Sequence, residues 1–165
     1  MPPPLLAARE FAISYRPFTP EDLPFVAELY ASTRREELAV TGWPIEVQEA
    51  FLAQQHEAQH SHYSIYYADA EWLIVEREGQ VIGRLYLNET DDDLCIVDIS
   101  LLPQFRARGL GGAIMRDILE LARERSKSVS IHVEKNNPAR RLYDRLGFVA
   151  VADRGVYDLM RAEPQ

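Results

Sequence analysis

Gln104-Phe105-Arg106-Ala107-Arg108-Gly109-Leu110-Gly111-Gly112-Ala113 is a basic, glycine-rich stretch between an apolar run and a helical pattern. A strand-to-helix junction of this kind gathers unpaired backbone N–H groups and the positive end of the helix dipole in one small volume. A phosphate or pyrophosphate suits that volume. Glycines let the backbone approach such a ligand, because no Cβ intervenes. A tight turn with solvated arginines accounts for the same residues, so the flanking sequence has to separate the two readings.

Upstream, residues 94–102 are nearly all apolar, interrupted only by Asp98 and Ser100. Such a run suits a central strand covered on both faces. Downstream, Leu110, Ile114, Ile118 and Leu121 mark one face of an amphipathic helix. Val129, Ile131 and Val133 then alternate with polar residues in a further strand. Asn137-Pro138 opens a short helix that Gly147 closes, and strands over about 148–153 and 156–161 finish the chain. Before the apolar run, residues 11–16 read as a strand, and Thr19-Pro20-Glu21-Asp22 starts a helix reaching about residue 38. A second helix covers about 45–60, and residues 72–75 and 81–87 form a hairpin around Glu78-Gly79-Gln80. The order β-α-α-β-β-β-α-β-α-β-β points to one mixed α/β (α+β) sheet domain over 11–162. Its ligand belongs at the carboxyl ends of the strands, where the glycine turn lies. Residues 1–10 read as a disordered or extended tail.

The net charge of −8 argues against a nucleic-acid binder. Its distribution is uneven: the balance is −12 over residues 1–100 and +4 over 101–165. The second part therefore suits an anionic ligand, and the acidic first part favours a cationic partner. No apolar run is long enough to span a membrane. A single cysteine, Cys95, fits a reducing, cytoplasmic setting.

Two motifs carry a resemblance to a known family. Arg106-Ala107-Arg108-Gly109-Leu110-Gly111, with Pro103 just before it, is similar to the Q/R-x-x-G-x-G/A signature of the GNAT superfamily of acyl-CoA-dependent N-acetyltransferases. Asn136 to Phe148 resembles that superfamily's second signature, N-x-x-A-x-x-L-Y-x-x-x-G-F. The resemblance implies a mixed, mostly antiparallel central sheet flanked by helices, and acetyl-CoA as co-substrate with no metal. It makes Arg106 a cofactor-binding residue and places the backbone N–H groups of Arg108, Gly109, Leu110, Gly111, Gly112 and Ala113 around the pyrophosphate. Main-chain groups of Leu101 and Leu102 would pair with the pantetheine arm, and Asn136 would meet the same arm from the next strand. Tyr143 would lie near the sulfur, and Arg140 or Arg141 near the nucleotide phosphate. The implied partner is a primary amine of a small molecule or protein, met by a monomer or homodimer.

Acyl transfer from a thioester to an amine needs a neutral amine, a stabilised oxyanion and a proton for the departing thiolate. Tyr143 is the candidate acid, with plain core packing as its alternative. The family's usual base positions hold Cys95 and Val97 here, a departure from the pattern. Asp98 is the carboxylate inside the run and the candidate base, with a structural role as its alternative. His132 is a second candidate, and proton loss through ordered water is a third route. A non-catalytic acyl-CoA-binding or interaction module on the same fold is the competing reading. His56-Glu57-Ala58-Gln59-His60 also fits H-E-x-x-H, the zinc-hydrolase helix motif, with His62 nearby. The weak amphipathicity of its helix speaks for a solvated face instead.

Overall fold

A computed structural model describes residue 3 and residues 7–164. The elements follow the expected order: β1 (Ile13–Pro17), α1 (Leu23–Ala39), α2 (Ile45–Tyr66), β2 (Glu71–Arg77), β3 (Gln80–Glu89), β4 (Asp93–Leu101), α3 (Leu110–Glu124), β5 (Ser128–Glu134), α4 (Arg140–Arg145), β6 (Val149–Arg154) and β7 (Tyr157–Ala162). The seven strands form one sheet in the order β1-β2-β3-β4-β5-β7-β6, antiparallel throughout except for the parallel β4–β5 pair. That pair needs a crossover, and α3 supplies it.

Each face of the sheet has its own apolar layer. Ile114, Ile118 and Leu121 of α3 pack on Leu85, Leu87, Leu94 and Ile96, so the period-3.6 stripe meets the alternating strand residues. On the opposite face Val26, Leu29 and Leu52 of α1 and α2 are buried with Ile74 and Tyr86. Burial of a side chain of this size contributes on the order of 1.5–3 kcal/mol.

Two bulges set the strand faces. Tyr86 pairs with Asp98 but Leu87 with Ile96, so Val97 is an extra residue in β4. Side chains alternate along a strand, and one inserted residue exchanges the faces beyond it. Asp98 and Ser100 therefore leave the α3 core and point to the α1–α2 side, while Ile99 and Leu101 take the core positions. In β3, Val75 pairs with Gly83 but Glu76 with Val81. A Cβ on Gly83 would stand 2.2 Å from the Ser100 carbonyl oxygen, so only glycine lets β3 and β4 close here.

Three boundaries differ from the sequence reading. The residues assigned to a loose N-terminal tail are in part ordered: Ala8–Phe11 form a 3-10 turn and Ala8 is fully buried. The Ala7 and Ala8 N–H groups donate to the Asp117 carboxylate at 2.8 and 3.0 Å, which fixes this segment to α3. The remaining tail positions 1, 2 and 4–6 lie outside the described residues. Helix α2 runs to Tyr66 rather than residue 60, held by ring and polar contacts that its weak apolar stripe does not announce. Helix α4 starts at Arg140 rather than Pro138, because the Asn137 side chain accepts the Ala139 N–H at 2.9 Å and makes the preceding residues a turn. Among the described residues no helix is long and apolar enough to cross a membrane.

Candidate active site

Strands β4 and β5 pair only from Asp93–Ser128 to Ile96–Ile131. Beyond that point β4 stays with β3 as far as the Gly83–Leu101 pair, and β5 stays with β7 as far as Glu134–Tyr157. The sheet splits, and the inner edge of β4 is left without a strand partner. Unpaired edge amides are a template for an extended ligand.

The backbone at the end of β4 decides which of the expected groups are free. Leu102 N–H donates to the Ile82 carbonyl at 2.8 Å, and the Leu102 carbonyl accepts from Phe105 N–H at 2.9 Å. Both main-chain groups of Leu102 are thus engaged inside the protein, which corrects its assignment to ligand pairing. The Leu101 carbonyl, on the split side, accepts from Arg106 Nε at 2.9 Å. Arg106 Nη2 also donates to Ser32 Oγ at 3.3 Å, so this arginine braces the turn against α1. Leu101 N–H faces the split and is the edge donor that remains.

The glycine turn supplies the second set of donors. Gly109 caps α3 with φ +81°, a left-handed conformation that glycine adopts without strain. The first intrahelical bond runs from Ala113 N–H to the Gly109 carbonyl at 3.0 Å. Ala113 is therefore committed to the helix, and the amides of Leu110, Gly111 and Gly112 ahead of it lack i−4 partners. Buried Leu110 and Ala113 anchor the turn from below. Arg108 is exposed beside it and makes no side-chain bond among the described residues. Asn136 is exposed past the end of β5. Arg140 is paired with Asp158 at 2.6 Å.

Tyr143 is buried in α4, its ring 5.9 Å from that of Phe148. Burial, and secondarily the negative charge of Asp98, push its phenol up to about 12. It therefore holds its proton at neutral pH, as an acid must. Among the described residues its hydroxyl takes no hydrogen-bond partner.

On the α1–α2 side the site is made of side chains. Asp98 Oδ2 accepts from Arg84 Nη2 at 2.8 Å and from Tyr63 Oη at 2.9 Å, and Oδ1 accepts from Ser100 Oγ at 2.7 Å. Arg84 Nη2 also reaches Gln59 Oε1 of α2 at 2.7 Å. The ion pair is sealed, with side-chain exposures of 3% for Arg84 and 10% for Asp98. Burial, the largest single influence, lowers the Arg84 pKa, but Asp98 together with Tyr86 and Tyr63 outweighs it and the net shift is upward. Tyr63 is pushed up by burial and then by Asp98. Of the two roles the sequence left open at Asp98, base or structural carboxylate, the Ser100 bond fits the second, and Arg84 is the partner the sequence reading did not name. The sequence carried a signal for this, a single arginine within the apolar residues 81–87, but nothing local says that it meets Asp98.

The H-E-x-x-H residues belong to this cluster. His56 is buried beside Tyr30, ring centroids 5.8 Å apart, and His60 sits against Phe18 and Trp72. Burial, then the Arg84 charge, push His56 down to about 4 and lower His60 as well. A guanidinium beside the two rings opposes a dication at the same place. His62 instead stacks on Tyr66 at 4.6 Å. His132 lies just past the last β4–β5 pair and is lowered by burial, then by Arg154.

With this geometry in hand, likeness to known proteins fixes the class. Residues 26–148 match the acetyltransferase (GNAT) family, and the chain belongs to it. It is 31% identical over 80 residues to a Bacillus subtilis (strain 168) protein named "Putative [ribosomal protein bS18]-alanine N-acetyltransferase". The match covers 47% of this chain and 53% of that one, so the chain spans about half the length of this relative. The fold is similar to the PaiA N-acetyltransferase of Thermoplasma acidophilum in complex with coenzyme A, with TM-score 0.69, 16% identity, and 92% and 98% of the two chains covered. It is also similar to a GNAT family acetyltransferase of Elizabethkingia anophelis with acetyl-CoA bound, with TM-score 0.57, 17% identity, and the same coverage. At these identities the structural likeness concerns the fold.

Proposed function

We propose that this chain transfers the acetyl group of acetyl-CoA to a primary amine by direct attack in a ternary complex. The observation that carries the reading is the split between β4 and β5 beyond Ile96, open toward the free amides at the start of α3. Bound acetyl-CoA supplies the activated thioester. The fit to such a ligand is specific: a pyrophosphate matches the Leu110, Gly111 and Gly112 amides and the helix dipole, and an amide-bearing arm matches the β4 edge. Arg108 adds positive charge beside them, and Asn136 offers a polar side chain across the split.

Leu101 N–H, fixed by the Gly83–Leu101 pairing, is the edge donor placed to stabilise an oxyanion. The amine nitrogen bonds to the acyl carbon as the carbon–sulfur bond breaks. Tyr143 donates its proton to the departing sulfur and regains one from solvent. The amine sheds its proton to water. Arg84, Tyr63 and Ser100 occupy three of the roughly four lone-pair sites of the Asp98 carboxylate, which supports a positioning role for Asp98 over a base.

Calorimetry with CoA, followed by an amine screen for thiol release from acetyl-CoA, tests the reading. CoA binding and thiol release with at least one amine are expected. Absence of CoA binding refutes the assignment, and binding without turnover across amines returns the chain to a non-catalytic module.

A further inference from the structure

The glycine turn is gripped by a segment that lies outside the residues matched to the family, which begin at 26. The Ala7 and Ala8 N–H groups end on the Asp117 carboxylate, which is buried about two turns along α3 from Gly109. A carboxylate so buried needs donors, and here both are main-chain groups of one short segment. Arg77 of β2 supplies a second tie, its Nε donating to the Phe11 carbonyl at 3.1 Å. Held at both ends, the segment lays the Phe11 ring against the turn. A Cβ on Gly109 would stand 3.5 Å from Phe11 Cζ and 3.7 Å from Cε1.

Backbone strain sits on both sides of this contact. Ala12, next to Phe11, has φ +60°, and Ala107, two residues before Gly109, has φ +58°. A left-handed alanine persists only where its surroundings over-determine it. Arg106 braces the turn on the α1 side, and Phe11 closes it on the other. Without that second brace Ala107 is free to relax, and the Leu110, Gly111 and Gly112 amides must be ordered again each time a ligand arrives. Donors fixed beforehand bind more tightly because that ordering does not weaken the complex. We infer that Phe11 is a positioning residue for the coenzyme: anchored through Asp117 and Arg77, its ring holds the glycine turn in the form that receives a pyrophosphate. This rests on the acetyl-transfer reading above. Because the ring meets the turn and acts through it, its effect falls on coenzyme affinity and not on the transfer step or on the amine. Coupling between two sites is reciprocal, so bound coenzyme in turn tightens the segment.

The test uses the full chain, CoA in calorimetry, and acetyl-CoA with the best amine of the screen. Phe11→Ala should raise the CoA dissociation constant and the KM for acetyl-CoA by about tenfold, with kcat and the KM for the amine unchanged. Phe11→Met, whose side chain is about as long, should recover most of that affinity. Asp117→Asn offers one acceptor oxygen in place of two and should reproduce the Phe11→Ala loss. The two changes together should cost no more than the larger one alone, because both act through one segment. Hydrogen exchange on the unaltered chain gives a readout that needs no variant to fold: the amides of residues 7–12 should gain protection when CoA is added. A CoA dissociation constant in Phe11→Ala within about twofold of the unaltered chain overturns the inference. So do a fall in kcat with affinity intact, additive losses in the double variant, and exchange at 7–12 indifferent to CoA. An unaltered chain that binds no CoA sinks the acetyl-transfer reading and this one with it. One that binds CoA and releases thiol, while Phe11→Ala behaves the same, sinks only this one.

Discussion

On the β4–α3 side of the split, the groups offered to a ligand are main-chain amides of Leu101, Leu110, Gly111 and Gly112. On the α2–β3 side they are side chains: Gln59, Tyr63, Arg84 and Asp98, tied together by hydrogen bonds of 2.7–2.9 Å. A site made of backbone tolerates many side chains as long as the turn keeps its shape. A site made of a buried ion pair depends on each partner, because the one left behind stays buried and unpaired. The two halves should therefore fail differently.

The largest effect is expected at the ion pair. Arg84→Met leaves Asp98 uncompensated and should cost about 3–5 kcal/mol of folding stability, measured by urea unfolding. The double change Arg84→Met with Asp98→Leu should recover much of that loss. If the double variant is no more stable than the single one, the ion pair is not what makes this half sensitive.

Tyr143→Phe tests the proposed proton donation to the departing sulfur. It should lower kcat by about 100-fold, equivalent to about 2.7 kcal/mol, with the CoA dissociation constant unchanged. Equal losses in turnover and CoA binding would mean that the ring is only packing.

A third effect is a pH dependence confined to the side-chain half. Burial, then Arg84, depress the folded-state pKa of His56 to about 4, below its ordinary 6.5. Between those values the unfolded chain binds the proton and the folded chain does not, so stability is complete above pH 6.5 and falls as pH drops toward 4. About 3 kcal/mol should disappear across that window. His56→Asn should flatten this part of a stability-against-pH curve, and an unchanged curve would mean that the group responsible lies elsewhere.

The smallest stability change belongs to the backbone half. Gly109→Ala places a Cβ on a residue with φ +81°, at a cost of about 1–2 kcal/mol. Its functional effect should exceed its structural one, since the displaced turn weakens CoA binding while the Arg84–Asp98 half is untouched. A thermal melt and a CoA titration on the same variant compare the two.

The element order, the central strand and the helix after the glycine turn were all legible in the sequence. Each follows from residues close together in the chain: an apolar run, a 3.6-residue stripe, a glycine where the backbone turns left-handed. The second motif, Asn136 to Phe148, was legible for the same reason. The bulge at Val97 was not, because a strand's face depends on its register with β3. Leu102 was misassigned by the same kind of omission, since its main-chain bonds go to Ile82 and Phe105, and only the folded chain shows that they are taken.

By itself, the sequence determined that a strand runs into a phosphate-compatible turn and helix, because backbone conformation there is set by neighbouring residues. Tertiary structure decided that β4 and β5 part at Ile96, that Asp98 faces α2 rather than α3, and that Arg84 neutralises it. Those outcomes join residues 14 to 35 positions apart in the chain. Charges that far apart in sequence acquire a partner only when the sheet has assembled.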